Sequence, residues 1–582
     1  MRMKWMVWAL IGVMAVPVAA QGMAAANDAA NDAAVEAAGK GYRPLRNTSE
    51  SHEVDGKTVG FHSIYHLTVT PAVPTTPLLA RRLDYASYEM TEGNAAPLYS
   101  QAHAELDRIQ TEAKNTIRQS KEWLNHMAAN PGASEREDTE LRLMLFRAMP
   151  RLNSWGWGWA YASDRELADE KEKAARERFN AIPDTVYETY YESTREVWET
   201  LQRASRMREC NWSYTREWRG VATLLPEVQN QRELARYLQE KAKWEMRKGR
   251  LEDARRTLRV SYMLGTHTAS DPSAQCLVTS LVGIAIRGIA HSTAIELFQQ
   301  PDSPNLYWSI ALLTENPLRL GSSMEGELSM FFFDPQKIDT DRLRNSDTMS
   351  SAELRRVAEM FTTSLIDINM EFQNFDAYAG TSEHGVENEQ TFRRVFAAIA
   401  VLAYPDAAKR LRARGLSDDE IEQLDPYQVV VPYVVERVLD AYDLIRCADY
   451  VNRATAADAE YAERFKSLAD LSSRYDATLR SSRNVVDVFV AMLTPAMQAA
   501  GSAERRIAAM DDANVIIEAL RWHAAENGGK LPDSLDEITV APIPRICRTT
   551  GKTFTYQLDG ETAELHVPAV GVTFIYRVTV EK

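Results

Sequence analysis

Closely spaced cysteines are missing from this sequence. It contains only four, Cys210, Cys276, Cys447 and Cys547, and no two of them lie close enough to form a CxxC pair or a zinc-ligand pattern. In an oxidising compartment they could form two disulfides, and the pairing that we favour is Cys210 with Cys276. Buried thiols are an equally good interpretation, because a reduced cysteine behaves as a small apolar residue.

The motifs of the common enzyme classes are also missing. The sequence has no HExxH metal motif, no GxSxG nucleophile elbow, no Walker A loop and no GxGxxG fingerprint. His62 and His66 are four residues apart, but the alternating pattern around them predicts a strand, and no third ligand lies nearby. The sequence therefore predicts neither a metal nor a cofactor, and it favours a non-enzymatic function.

The chain begins with the layout of a secretory signal peptide. Arg2 and Lys4 precede an uncharged apolar run from Trp5 to Val16, and Val18-Ala19-Ala20 supplies the small residues of a cleavage site before Gln21. We therefore predict that residues 1–20 are a signal peptide. The alternative is a retained membrane anchor, for which this run is short, since a spanning helix needs about 20 apolar residues.

No later stretch is predicted to span a membrane. The most apolar ones, around Cys276 to Ile289 and Val395 to Ala403, are too short or are interrupted by charge. We therefore expect a soluble exported protein, either periplasmic or secreted.

Positive charge is in the minority. The chain has 67 lysines and arginines against 82 acidic residues, a net charge of −15. Such a surface repels phosphate backbones and anionic lipid faces, which argues against nucleic acid as a partner. The expected partner is an unidentified protein or a component of the cell envelope.

The sequence between the signal peptide and the first apolar pattern is poor in bulky side chains. Residues 21–60 include the repeat AANDAANDAA, and a segment of this kind cannot bury enough surface to offset its ordering entropy. We predict a disordered linker over residues 21–60. A short extended segment follows, over residues 61–79.

Helical periodicity dominates the middle of the chain. Apolar residues recur at three- and four-residue steps, and proline and glycine punctuate the pattern, over residues 185–208, 231–246, 252–265, 274–299, 351–375, 389–403, 428–454 and 458–478. We predict a helical domain over residues 61–500. The expected fold class is mainly α, with stacked helical hairpins in an α-solenoid-like or irregular helical array.

One helix pair resembles a tetratricopeptide unit. The residues that fall near the spacing of that repeat are Leu238, Ala242, Gly249, Ala254 and Leu258. Lys241 and Glu245 depart from it, because they occupy positions where large apolar residues belong. An ordinary αα-hairpin with small residues at the crossing explains the spacing equally well.

The C-terminal residues 505–582 show a different pattern. Arg505 to Asn527 predicts one helix that ends at Gly528-Gly529. Three strand-like segments follow, with Asp559-Gly560 as a hairpin turn between the first two. We predict a small C-terminal α+β module, a helix plus a small antiparallel sheet, that packs on the helical domain.

Trp155, Trp157 and Trp159 alternate with glycines and form the most unusual short segment in the chain. Three indoles on a glycine frame could stack on sugar rings or grip a protein partner, since aromatic anchors do so at interfaces. The alternative is that they cover the helical core beneath a loop. They are the candidate binding residues that the sequence offers.

Several segments resemble a family of uncharacterised exported proteins from planctomycete bacteria. The resemblance covers the chain from about residue 75 to the end. It is carried by Gly93 to Tyr99 (GNAAPLY), Cys210-Asn211-Trp212, Pro304 to Trp308 (PNLYW), Tyr404-Pro405, Gly528 to Ile538 (GGKLPDSLDEI) and Thr550 to Tyr556 (TGKTFTY). It implies an exported helical protein and supplies no activity or active-site residue.

The closing stretch is also similar to the C-terminal part of type II pseudopilins, in which a helix leads through a proline turn to a TGKxFxY-like strand. A pseudopilin begins with its cleaved apolar helix, whereas here the similar part lies at the far end of a large protein. The resemblance therefore implies a packing or docking module.

These observations favour an exported helical scaffold that binds a protein or a cell-envelope component. The alternative is an extracytoplasmic hydrolase whose site is assembled from residues distant in sequence, because catalytic groups are defined by their geometry and not by their order along the chain.

Overall fold

The structure is a computed structural model. It describes residues 42–54, 57–75, 81–129, 184–212, 226–270, 277–315, 318, 323, 345–359, 385–437, 485–569 and 572–581. This part of the chain is mostly helical and carries a small sheet in its C-terminal region, which confirms the predicted class at that level.

Within the described residues, the helices lie close to the ranges that the apolar periodicity predicts. They are α1 (Ala96–Ala129), α2 (Asp184–Ser193), α3 (Arg195–Ser205), α4 (Pro226–Arg247), α5 (Leu251–Ala269), α6 (Leu277–Phe298), α7 (Tyr307–Glu315), α8 (Gly385–Ala413), α9 (Asp418–Glu422) and α10 (Val485–Glu526). Residues 351–359 and 426–437 are also helical.

The predicted helix pair is present as α4 and α5. Gly249 lies between them with φ +70°, a conformation that glycine adopts without strain, and its amide donates to the Met246 carbonyl at the end of α4. Lys241 and Glu245, which depart from the repeat pattern, are both buried and pair at 2.5 Å. Burial of this pair leaves no unmatched charge inside the hairpin.

Helices α5 and α6 pack closely where Gly265 meets Gly283. A Cβ atom placed on Gly283 would come within 2.6 Å of the Ala269 Cβ atom and 2.8 Å of the Gly265 carbonyl oxygen. Only a residue without a side chain therefore fits at this contact. This close approach fixes where α6 packs against α5.

Helix α6 corrects one expectation. Val278–Phe298 is long and apolar enough to cross a membrane, with a mean hydropathy of 1.4, so the prediction that no later stretch reaches spanning length is wrong. Arg287 interrupts the apolar stretch with a charge, but the helix continues through it. Of its most apolar stretch, 72% is buried inside the protein. A buried core helix has the same length and apolar composition as a membrane-spanning one.

The five-stranded sheet joins the two ends of the described chain. Its strands are β1 (Arg46–Val54), β2 (Lys57–Val69), β5 (Thr555–Asp559), β6 (Thr562–Ala569) and β7 (Val572–Val580), in the order β1-β2-β7-β6-β5. Strands β5, β6 and β7 run antiparallel, as predicted, but β2 pairs with β7 in parallel. In that register Tyr65 lies opposite Tyr576, and their rings stack with centroids 5.0 Å apart.

This sheet differs from the expected organisation at the N-terminus. Residues 46–54 and 57–60 lie in β1 and β2, although the sequence placed them in a disordered linker ending at residue 60. The physical reason is the exposed edge of β7, which β2 covers and whose backbone groups it pairs. The rest of the predicted linker and the signal peptide lie outside the described residues.

Helix α10 differs from the expected domain boundary. It begins at Val485 and continues through residue 505, where a separate C-terminal module was expected to start. From Ala509 to Leu520 it is buried on all sides, and one apolar core contains residues of α10, α6, α7, β2 and the C-terminal strands. A helix that is buried all round lies in the interior, so the C-terminal residues share their core with the helical domain.

A two-stranded sheet fixes the start of α1. Strand β3 (Thr91–Asn94) pairs in parallel with β4 (Met207–Glu209). The Asn94 side chain accepts from the amides of Ala96 and Asn211 and donates to the Asn211 carbonyl at 2.7 Å. The GNAAPLY and CNW segments therefore meet through one asparagine.

Candidate functional site

Charged and polar side chains collect in the core between α6 and α10. Helix α6 contributes Arg287 and His291, and helix α10 contributes Asp511 and Asn514. Each pair is three or four residues apart, the spacing that places side chains on one helix face. We call these four residues the α6–α10 cluster.

The distances in the cluster link all four side chains. Arg287 Nη2 lies 3.6 Å from Asp511 Oδ2, and His291 Nδ1 lies 3.8 Å from Asp511 Oδ1. Asn514 Nδ2 lies 3.0 Å from His291 Nδ1. The side chains of Arg287, His291 and Asp511 are only 2%, 0% and 4% exposed, so the cluster is closed to bulk solvent.

Aromatic rings line the cluster. The Arg287 guanidinium lies 4.7 Å from the centroid of the Tyr262 ring, a cation–π distance. Tyr576 belongs to the buried face of β7, and burial, followed by its neighbours Tyr65 and Asp511, holds the pKa of its hydroxyl well above its usual range. The hydroxyl therefore stays protonated and can act as a hydrogen-bond donor.

A second ion pair lies beside the cluster. Arg548 Nε donates to Asp512 Oδ2 at 3.1 Å, and Nη2 of the same guanidinium donates to Oδ1, so the pair is bidentate. Arg548 Nη1 also donates to the Thr314 carbonyl at 2.6 Å. Asp512 thereby ties α10 to the C-terminal segment, and through it to the end of α7.

The two neighbouring carboxyl groups differ in their electrostatics. Burial by itself raises the pKa of Asp511, but the Arg287 charge and the neighbouring His291 side chain outweigh it, and the pKa lies below its usual range. Burial raises the pKa of Asp512 to about 6, against the opposing effect of Arg548. Two carboxyl groups with separated pKa values are the arrangement that acid–base chemistry uses.

Several buried atoms of this region have no hydrogen-bond partner among the described residues. They are Arg287 Nε and Nη2, His291 Nε2, Asn514 Oδ1 and the Tyr576 hydroxyl. Unmatched polar atoms are uncommon in protein cores, and their concentration here marks the cluster as the strongest candidate site in the described part.

Metal binding has no geometric support in this region. Within the described residues no group of three or more histidine, cysteine, aspartate or glutamate side chains could hold a metal ion. His62 lies on β2, and His66 on the same strand contacts the Thr48 hydroxyl of β1 at 3.2 Å.

A neighbouring network fixes the entry to α7. Arg521 is fully buried; it pairs with Glu518 at 2.6 Å and donates to the Ser303 and Thr70 carbonyls at 2.7 and 3.0 Å. Asn305 donates to the Glu518 carbonyl at 2.8 Å. The PNLYW segment therefore acts as a packing contact that docks on α10.

The candidate residues taken from the sequence are not brought together in the described structure. Trp155, Trp157 and Trp159 lie outside the described residues, as does Cys276. Cys210 is buried in the core that contains Tyr99 and Trp212. Its pairing with Cys276 stays a prediction.

Sequence reasoning missed the α6–α10 cluster. Two signals were available: Arg287 and His291 four residues apart in an otherwise apolar helix, and Asn514 within the apolar stripe of α10. Neither signal identifies the residues that it contacts on the other helix, because the two helices are far apart in the chain.

Comparison with known proteins adds no relationship: no protein-family model, no curated protein and no solved structure matches the chain.

Proposed function

We propose that this chain is an exported helical scaffold that binds a protein or a cell-envelope component. The observation that carries the proposal is the closure of the α6–α10 cluster, whose charged side chains are at most 4% exposed. Charges buried to this degree balance one another and fix the packing of the helices that carry them. Function then falls to the outer surface of the helical array.

The described helices support an array of hairpins. Helices α4 and α5 form one hairpin around Gly249, and α6 packs back on α5 at Gly283. Successive antiparallel helices of this kind build the extended surfaces that repeat proteins use for binding. We extend this to a stacked, tetratricopeptide-like arrangement as part of the proposal.

Export rests on the N-terminal sequence pattern. We propose cleavage after Ala20, which releases a periplasmic or secreted protein of the planctomycete-like exported type. N-terminal sequencing of the protein recovered from the periplasmic or secreted fraction tests this. A mature chain that begins at Gln21 supports export, and an intact Met1 in the cytosolic fraction contradicts it.

The binding function is tested by crosslinking in the native cell envelope, followed by mass spectrometry. We expect one stoichiometric partner, whose recovery falls when Trp155, Trp157 and Trp159 are all replaced by alanine. The matched control is Tyr88→Ala, since Tyr88 is 87% exposed and its ring can be removed without opening the core. If the wild type, the triple tryptophan variant and Tyr88→Ala all recover the partner equally, the tryptophans are not part of the binding surface.

The separated pKa values of Asp511 and Asp512 favour a second candidate, an extracytoplasmic hydrolase. In this case His291 or Asp512 would move a proton after the core opens. An unbiased panel of hydrolase substrates, run with the wild type and with Asp512→Asn and His291→Gln, separates the two. If the wild type turns over a substrate, and both substitutions abolish this activity in proteins that still fold, the chain is an enzyme and the scaffold proposal is wrong.

A further inference from the structure

Three elements of the core bring buried polar atoms to the α6–α10 cluster that no other described residue pairs. Helix α6 contributes Arg287 Nε and Nη2 and His291 Nε2, helix α10 contributes Asn514 Oδ1, and strand β7 contributes the Tyr576 hydroxyl. These four residues are at most 2% exposed, so bulk solvent does not reach the atoms either. A buried polar atom without any hydrogen bond is costly, and several together indicate a bound partner.

The charged contacts across the cluster are slightly too long for direct hydrogen bonds. Arg287 Nη2 lies 3.6 Å from Asp511 Oδ2, and His291 Nδ1 lies 3.8 Å from Asp511 Oδ1. Both separations exceed the usual donor–acceptor distance of about 2.7–3.2 Å. A polar contact of this length in a protein core is one that a water molecule can bridge.

Arg521, on the same helix as Asp511, shows the contrasting arrangement. Its guanidinium is as deeply buried as that of Arg287, but it pairs with Glu518 at 2.6 Å and donates to the Ser303 and Thr70 carbonyls at 2.7 and 3.0 Å. Within the described residues, Arg521 has no unmatched nitrogen. Burial alone therefore does not leave an arginine of this core unpaired, and the unmatched atoms of Arg287 are a property of the cluster.

The chemistry of the unmatched atoms defines what can bind them. The Arg287 guanidinium only donates, the Asn514 oxygen and the Asp511 carboxylate only accept, and the Tyr576 hydroxyl can do both. A bare anion would be repelled by the Asp511 carboxylate, and a bare cation by the Arg287 guanidinium, with little solvent to screen either charge. A small neutral molecule that donates and accepts satisfies both kinds of group, and water has this property.

We propose that the α6–α10 cluster is a buried hydration site, in which ordered water molecules bind Arg287, His291, Asn514 and Tyr576 and bridge them to Asp511. The site goes beyond the proposed scaffold function, because it concerns what joins three elements of the core. A buried water typically makes about three hydrogen bonds to groups that would otherwise stay unmatched. Helices α6 and α10 and strand β7 are thereby connected through water where their side chains do not meet directly.

A crystal structure of the full mature chain tests the proposal, at a resolution that shows ordered water. We expect density for water within hydrogen-bond distance of Arg287 and of at least one of His291, Asn514 and Tyr576. Crystals soaked in bromide are the control for an ion, because bromide replaces a bound chloride and is identified by its anomalous scattering. A bromide peak among these side chains would overturn the proposal. So would side chains that pair directly with one another and leave no density between them.

The variant Tyr576→Phe tests the site in solution. If the hydroxyl binds water, its removal loses a hydrogen bond, and the equilibrium constant for unfolding should rise about twofold to tenfold. A buried hydroxyl without a partner would behave in the opposite way, because its removal ends an uncompensated loss of hydration. Urea unfolding of the full mature chain measures the difference. A Tyr576→Phe protein that is as stable as the wild type, or more stable, would contradict the proposal.

The matched control is Tyr237→Phe. Tyr237 is buried to almost the same degree as Tyr576, and its hydroxyl donates to Thr194 Oγ1 at 3.1 Å. This variant loses a hydrogen bond that the protein itself supplies, and its unfolding constant should rise within the same range. Similar losses in the two variants support a bound partner at Tyr576, whereas a loss in Tyr237→Phe alone would show that the Tyr576 hydroxyl binds nothing.

Discussion

Arg287 Nη2 lies 3.6 Å from Asp511 Oδ2, and both side chains are almost completely buried. At this distance the two groups attract by charge without a direct hydrogen bond. Removing one member leaves the other as an uncompensated charge in the core, which costs about 3–5 kcal/mol. The pair therefore fixes how α10 packs on α6.

We predict that Arg287→Met and Asp511→Asn each lower the free energy of unfolding by about 3–5 kcal/mol, and that the double variant loses less than the sum. Urea unfolding followed by circular dichroism measures all three. Because the pKa of Asp511 is lowered in the folded protein, its contribution is present above the ordinary value of 3.8 and is lost as the pH falls further. Strict additivity of the two substitutions would show that the side chains do not interact.

The contribution of Asp512 to stability should change with pH in the opposite direction to that of Asp511. Burial raises its pKa from 3.8 to about 6, so its contribution to stability is complete below about pH 3.8 and is lost as the pH rises through about 6. At about 1.4 kcal/mol per pKa unit, the wild type should lose on the order of 3 kcal/mol relative to Asp512→Asn across that window. Urea unfolding of both proteins at several pH values measures this difference. A difference that stays constant with pH would place the pKa of Asp512 near its ordinary value.

His267 should destabilise the fold in weakly acidic solution. Burial lowers its pKa from 6.5 to about 4, and its Nδ1 atom lies 2.9 Å from the Tyr99 hydroxyl. Because the folded-state pKa is depressed, the contribution is present above about pH 6.5 and is lost as the pH falls through about 4. His267→Gln should remove this dependence, on the order of 3 kcal/mol, in thermal unfolding at a series of pH values. Tyr99→Phe, which keeps the histidine, should retain the pH dependence and lose about 1 kcal/mol throughout.

Local patterns predicted much of the helical architecture. Amphipathic spacing located α4, α5 and α6, and the glycine between α4 and α5 marked their turn. The strands from Thr555 to Val580 were also visible, because alternation and Asp559-Gly560 are local signals. These features depend on residues within a few turns of one another.

The contacts that join the two ends of the chain could not be predicted in this way. Tyr65 and Tyr576 meet across the parallel pairing of β2 with β7, and a parallel pairing leaves no short turn in the sequence to reveal it. The α6–α10 cluster has the same difficulty: the spacing of Arg287 and His291 was readable, but the choice of Asp511 as their partner depends on the tertiary fold.

The shared core leads to a prediction about truncation. Ala290, Ala294 and Phe298 of α6 are fully buried in the core that contains Ala513 and Leu520 of α10. Deleting residues 505–582 exposes this apolar surface and removes the partners of Arg287 and of β2. We expect helix content to fall well beyond the residues deleted, with loss of cooperative thermal unfolding, by far-ultraviolet circular dichroism. Deleting residues 21–41, for which the sequence predicts a disordered linker, is the control and should leave the melting temperature unchanged. A truncated protein that keeps a cooperative transition would show that the helical domain folds without α10 and the sheet.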